Sequence, residues 1–556
     1  MYYLMTFLRK DMAVLSNVFR AGRQQSRFKQ IFITCFALGL LAGLWRMFLY
    51  GFRFISALGG MGTLLIQRLF SLFFFSLAVM LLVSSLITAY TVLFRAAENP
   101  LLILSPVPHG RRILHQWLEI TLISAWAFFF MIVPFIGAFV MHEHLPLPFI
   151  FWTAMLSLPF VLLCCAGGVL ITLLVVRLLP RLHPAWLGLG LVGAVGWWWW
   201  RSSVAAPAPH VDDTVFMLAR LVPGLRLAAN PLWPSYWVAE GILAFGRGDW
   251  ARGVGFTAVL CANLLMAGLL VDRLGRAWFQ TAWQRTLAVR RRQSRRQSAE
   301  HVWSDKLLRP LRQDRQALLL KDWRVLMRDP AQWTQGAVFF CLLAVYFLNL
   351  RNLNYHQLEP VWRNLIAFLN VFSLAAIMCS FCSRFVYPQM SLEGQGCWIV
   401  GLSPVGMERV LLVKFVASWL ALLVVGAGLL LLSGSLLNAA PDVRALAVVL
   451  AATMSAAFCA LATGLGAIFM NLRQSNPMVI ISGFGGTLNL VLSLVYMIAA
   501  ILPFAALYHW FYIGRVPAQV LRYGLWAAGV WLAMLTLAAT VVPLALARRS
   551  LRQREY

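Results

Sequence analysis

Acidic residues and lysines are scarce in this sequence. Asp and Glu together number 19 in 556 residues, and charged residues of all kinds make up 12%, against about 25% in a soluble chain. That shortage excludes an ordinary soluble domain. Lysine occurs five times, at Lys10, Lys29, Lys306, Lys321 and Lys414. None of them ends a G-x-x-x-x-G-K-[ST] loop, so the phosphate-cradling loop of a nucleotide-binding domain is missing. An ion-coupled carrier needs ionisable groups within the membrane, and of the acids only Glu119, one turn after His115, sits in an apolar run. Cys379 and Cys382 have C-x-x-C spacing but no second pair and no nearby histidine, so they read as small buried residues and not as half of a zinc site. The "HEH" at 142–144 lacks the spacing of a helical H-E-x-x-H site. Asp212 and Asp213, in a Pro/Ala-rich loop, read as solvated carboxylates. No metal site is expected. The early Lys10–Asp11 pair, with no small-residue cleavage pattern after a short apolar core, argues against a cleaved signal peptide. The alternating segments of a membrane barrel are absent.

Long apolar runs are what the sequence has instead. Hydrophobic residues make up 61% of the chain. Twelve apolar segments fall near 30–50, 70–94, 115–141, 149–178, 185–200, 253–271, 335–350, 364–386, 409–437, 445–471, 478–502 and 523–547. A bilayer-spanning helix needs about 20 such residues. The expected fold is therefore an all-α polytopic membrane protein of about twelve spans. The tryptophans at 197–200 fit an interfacial belt. The net charge of +28 sits mainly between the spans, where it suits the cytoplasmic face and anionic lipid headgroups and does not imply nucleic acid. The block "RRRQSRR" (290–296) places that loop, and both termini, on the cytoplasmic side.

The chain is also written twice. "KDMAVL" (10–15) returns as "KDWRVL" (321–326), and "ILSPVPHGRRIL" (103–114) returns as "GLSPVGMERVLL" (401–412). "RLHP" (181–184) and "RQSNP" (473–477) follow in the same order, as do "GLG" (188–190) and "GFG" (483–485). Four landmarks in one order imply two parallel six-helix units: 1–271, a basic linker 272–315, and 316–556. Lys10 and Asp11, and Lys321 and Asp322, lie in amphipathic stretches expected as elbow helices on the membrane surface. Each loop after the second span of a unit carries an acid (Glu98; Glu393), then Leu-Ser-Pro-Val (Leu104, Ser105, Pro106, Val107; Leu402, Ser403, Pro404, Val405) and an arginine (Arg111; Arg409). Serine caps and proline takes the first helical position, which makes a stiff element able to transmit a push. Gly188, Gly190, Gly483 and Gly485 allow close helix approach and are expected where the two halves meet. A segment at 222–242 in the first half has no counterpart in the second.

On these residues the sequence resembles the permeases of type V ABC exporters, the ABC-2 fold, with "AENPLLILSPVPHGRRIL" the nearest stretch. The resemblance implies a transport permease of an ATP-driven exporter in a bacterial-type inner membrane, with no enzyme activity and no cofactor of its own. It implies that the elbows and the two Ser-Pro loops dock on a cytoplasmic ABC ATPase partner, in two copies, which holds ATP and Mg. Two other readings remain open: a membrane-embedded enzyme acting on a lipid-linked substrate through Asp212 and Asp213, and an ion-coupled carrier using Glu119.

Overall fold

The computed structural model describes residues 27–57, 60–94, 99–104, 108–146, 148–178, 230–296, 312–328, 360–402, 406–436, 441–472, 477–481 and 483–553, with isolated positions before residue 27. Among these residues there is no strand, and the chain is an all-α polytopic membrane protein. Among the described residues ten helices are long and apolar enough to cross a membrane. They coincide with ten of the twelve expected segments; the remaining two, 185–200 and 335–350, lie outside the described residues. Helices dominate because each satisfies its own backbone hydrogen bonds where no water is available.

The described residues divide into two compact units, one within 1–300 and the other within 301–556. The first contains α1 (Arg27–Ser56), α2 (Gly60–Phe94), the short α3 (Asn99–Leu104), α4 (His109–Glu143), α5 (Pro148–Leu178), α6 (Pro234–Gly246) and α7 (Trp250–Arg296). Phenylalanines from α1, α2 and α4 make its core. Phe73 and Phe135 stack at 3.7 Å, and Phe70 meets Phe139 edge-on at 4.7 Å. Lipid is as apolar as the helices, so close packing of shapes, not water exclusion, holds such a bundle together. His144 closes α4 in the left-handed conformation, its N–H bonded to the Val140 carbonyl, which gives the "HEH" stretch a capping role.

One feature of this unit, the extent of α7, differs from the expectations. Within the segment 222–242, which has no counterpart in the second half, α6 begins, and its Val238, Ala239 and Ile242 are fully buried against α2, α5 and α7. There Gln67 donates to Glu240. The Tyr236 phenol is pushed above its ordinary pKa by burial and by the Glu240 charge, against the opposing pull of Arg68. Helix α7 runs unbroken through residue 271, and Phe279 and Ala282 beyond it are buried. The residues expected to begin a linker thus continue a packed helix.

The second unit contains α8 (Gln313–Arg328), α9 (Pro360–Phe381), α10 (Cys397–Gly401), α11 (Met407–Leu436), α12 (Pro441–Ile468), α13 (Pro477–Ile481), α14 (Phe484–Tyr512) and α15 (Ala518–Arg552). Between α9 and α10 the chain passes through a π turn (Cys382–Val386) and two 3-10 turns (Tyr387–Gln389 and Ser391–Gly396). Cys379 and Cys382 are buried, and the Cys382 sulfur lies 3.6 Å from that of Cys459. The repeat is visible in the packing. Helices α2, α4, α5 and α7 make the same set of pairings as α9, α11, α12 and α15, and the α5–α7 and α12–α15 contacts are the most extensive of their units.

Of the four glycines expected at a contact between halves, Gly188 and Gly190 lie outside the described residues. Gly483 is exposed just before α14. Gly485 is buried against its own unit: a Cβ there would overlap the Tyr387 hydroxyl and lie 2.6 Å from the Phe469 Cβ. Gly485→Ala is therefore expected to cost about 1–3 kcal/mol, read as a lowered thermal unfolding midpoint in detergent. Gly428→Ala, where the space is open, should leave the midpoint unchanged or raise it.

Candidate functional site

Helix α8 brings the second elbow pair to the end of the helical bundle. Leu318, Lys321 and Asp322 stand at helical spacing and share a face. Leu318 packs on an apolar cluster formed by Met390, Cys397, Met407, Val410, Leu411 and Leu551. That contact seats the helix so that its two charges reach inward.

Lys321 donates to both oxygens of Glu393 at 2.6 Å. Lys414, on α11, lies 3.0 Å from one Asp322 oxygen and 3.1 Å from the other, and 2.8 Å from Glu393. Its third donor faces the Gln389 carbonyl at 3.5 Å. An ammonium has three donors and no acceptor, so all three directions of Lys414 are used. The cluster contains two cations and two carboxylates. Lys414 is 4% exposed, the Glu393 side chain 9%, and Asp322 and Lys321 are half-buried. Glu393 and Lys414 lie near the ends of the spans Ile366–Gly394 and Met407–Ser435, where a polar cluster can form without sitting in mid-bilayer.

Local sequence explains how each group arrives. The break in α9 ends at Gly394, whose φ of +62° glycine adopts without strain. That residue turns the chain just after Glu393 and releases it into α10. Met407, Val410, Leu411 and Lys414 form one stripe of α11, so the lysine emerges from an otherwise apolar face. Ser391 fastens the same turn by accepting from the Asn471 backbone N–H at 3.1 Å.

The structure thus joins Lys321 and Asp322 of the expected elbow to Glu393 of the expected loop. Sequence reasoning did not single out Lys414. The signal available was a lone lysine on an apolar helical stripe in a chain with five lysines. Leu402 follows α10 and is 73% exposed, beside exposed Trp398 and Ile399; Arg409 is exposed as well. Ser403, Pro404 and Val405 lie outside the described residues.

In the first unit Lys10, Asp11, Glu98, Ser105, Pro106 and Val107 lie outside the described residues, as do Asp212 and Asp213. Leu104 is 85% exposed and Arg111 is exposed. Gln116 stands as far from Arg111 as Lys414 does from Arg409. Its amide donates to Asn99 at 3.0 Å, and Asn99 donates to the carbonyls of Val92 and Leu93 at 2.8 and 3.0 Å. A neutral amide pair therefore fastens α3 to the ends of α2 and α4. Glu119 is half-buried on α4. Among the described residues no three His, Cys, Asp or Glu side chains gather as a metal site would require.

A family model described as "Putative ATP-binding cassette" matches residues 22–556. The chain belongs to this family. No curated protein and no solved structure matches it. The family assignment corrects the expected one: the ABC-2 exporter resemblance rested on helix order and two short Ser-Pro loops, whereas the match spans nearly the whole chain. The reading as a separate exporter permease is overturned with it. Nothing found supports the enzyme acting on a lipid-linked substrate or the ion-coupled carrier.

Removing Lys414 deprives Asp322 of its closest cation and leaves the buried Glu393 to Lys321 alone. Lys414→Met should destabilise the seating of α8 by about 3 kcal/mol. Faster hydrogen–deuterium exchange across Gln313–Arg328 reads this directly. Lys321→Met, at a more open position, should cost about 1 kcal/mol or less.

Proposed function

We propose that the chain is a membrane-embedded component of an ATP-binding-cassette transport system. It sits in a bacterial-type inner membrane, with both termini and the ion-paired cluster on the cytoplasmic side. The observation that carries this reading is the joint itself. Lys321 and Asp322 of α8 are locked to Glu393 and Lys414, directly beside α10 with its exposed Trp398, Ile399 and Leu402. A push on α10 or α8 from the cytoplasm reaches α9 and α11 through short, charge-assisted bonds, which are stiffer and stronger than neutral ones. Exposed apolar side chains beside such a joint suit a docked protein.

Nucleotide and magnesium, in this reading, are held by a cytoplasmic ATPase partner present in two copies. The sequence has no G-x-x-x-x-G-K-[ST] loop with which to hold phosphates itself, and the chain makes and breaks no covalent bond. The cluster acts as a mechanical link, and the surrounding lipid bilayer is the other partner.

The test is purification of the full chain from native membranes in mild detergent, followed by nucleotide binding and identification of co-purifying chains. The expected result is an ATPase retained with the wild-type chain and lost with Leu104→Glu or Leu402→Glu, and no nucleotide binding by the chain after the partner is removed. Nucleotide bound by the isolated, folded chain would overturn the placement of ATP on a partner.

A further inference from the structure

Arg112 is the largest fully buried side chain among the described residues. Its Nε and both terminal nitrogens lack hydrogen-bond partners. Its guanidinium carbon lies 4.3 Å from the centre of the Phe279 ring, and Phe279 stacks in turn with Phe94 and Trp283. A ring on the face of a guanidinium supplies some attraction to the charge. It leaves the in-plane N–H donors unanswered, and those donors are what engage a phosphate or carboxylate two at a time. A buried cation in this state is costly.

The fold does not require an arginine there. Counted from Arg111 and Arg409, the matching position of the second unit is Val410, buried among Met407, Leu411 and Leu551. One copy of the repeat fills the place with a valine, whereas the other holds a cation with open donors.

The surroundings point to an anion from outside the chain. Gly110, two residues earlier, lies against the Asp272–Arg276 pair, and Arg276 Nε donates to Asp272 at 3.1 Å, so that carboxylate is already engaged. Arg111 and Arg276 are exposed nearby. Arg177 stacks on Trp278 at 4.4 Å, and Arg285 donates to the Arg177 carbonyl. Arg112 lies in the first turn of a 35-residue helix, at its positive end. Arginines crowded between helix ends at a membrane boundary form the kind of basic pocket that takes a phospholipid headgroup.

We propose that Arg112 binds the phosphate of an anionic phospholipid at this end of the first unit, with Phe279 holding the guanidinium flat and Arg111 and Arg276 adding attraction at the surface. The phosphate enters as the groups covering Arg112 move aside, so the lipid exchanges slowly and survives purification. This inference stands apart from the transport reading.

The test uses the full chain, purified in detergent, with native mass spectrometry of retained lipid. Wild type should hold one anionic phospholipid, and Arg112→Val, which installs the residue found in the second unit, should fold and retain it at least about tenfold more weakly. Arg276→Gln should weaken retention less. A measurement on wild type alone covers the case in which the variant fails to fold. Its unfolding midpoint in nanodiscs should rise and saturate as phosphatidylglycerol replaces phosphatidylcholine, with no rise from inorganic phosphate or ATP in detergent. Equal lipid retention by folded Arg112→Val, or a midpoint indifferent to phosphatidylglycerol, overturns the proposal. So does a midpoint that responds only to free phosphate or ATP, and so does a folded variant that keeps its lipid but loses a co-purifying chain, which would make the ligand a partner's acid group.

Discussion

A lysine ammonium enclosed by helix ends must meet carboxylates, and in the second unit that requirement decides where α8 lies. Lys414 is almost fully enclosed and faces Asp322, Glu393 and the Gln389 carbonyl. Those groups come from an amphipathic helix and a broken one, which packing alone would hold only loosely. The apolar seat under Leu318 is small. Without the charges α8 would be one more surface helix, free to slide along the bundle end. With them its position is fixed by four short nitrogen–oxygen contacts, as Lys321 reaches both oxygens of Glu393 and Lys414 both oxygens of Asp322, while a Lys414–Glu393 contact ties the two partners together.

The two units fasten their helices at these ends by different chemistry. In the first, the Asn99–Gln116 amide pair holds the short α3 to the ends of α2 and α4; in the second, a four-charge cluster holds α8 to the broken end of α9 and to α11. Neutral amides tolerate changes in salt and in neighbouring charge, whereas clustered charges are stiffer but depend on every partner being present. The repeat is therefore structural without being symmetric in its chemistry. The Arg112 and Val410 positions carry the same contrast into the neighbouring helix turn.

Much of the fold was legible in the sequence because a bilayer imposes long apolar runs, and those runs are a local property. The amphipathic pattern around Lys321 and Asp322 was equally local, and it announced a helix there without telling that its two charges face inward. What could not be read depends on partners far away in the chain. Lys414 looks like any lysine in a helix until Asp322 and Glu393 are folded beside it. The π turn after Phe381 arises where α9 packs against α12 and α14, whereas the 3-10 turn that follows it carries a local signal, Pro388, which cannot continue a helix. The burial of α6 and the continuation of α7 past residue 271 likewise follow from neighbours: Phe279 looks like a linker aromatic until Phe94 and Trp283 stack on it. The family resemblance misled for a related reason, since helix order and a Ser-Pro turn are shared by many membrane proteins and specify no particular one.

The central claim is that Asp322 and Lys414 are energetically coupled and together hold α8 in place. A double-mutant cycle on Asp322→Asn and Lys414→Met, with the free energy of α8 opening taken from hydrogen exchange in nanodiscs, measures that coupling directly. The account predicts a coupling of about 1.5 kcal/mol or more, with the double variant less unstable than the sum of the singles. Additive effects, with coupling within about 0.3 kcal/mol of zero, would contradict it, because α8 would then be held by its apolar face alone.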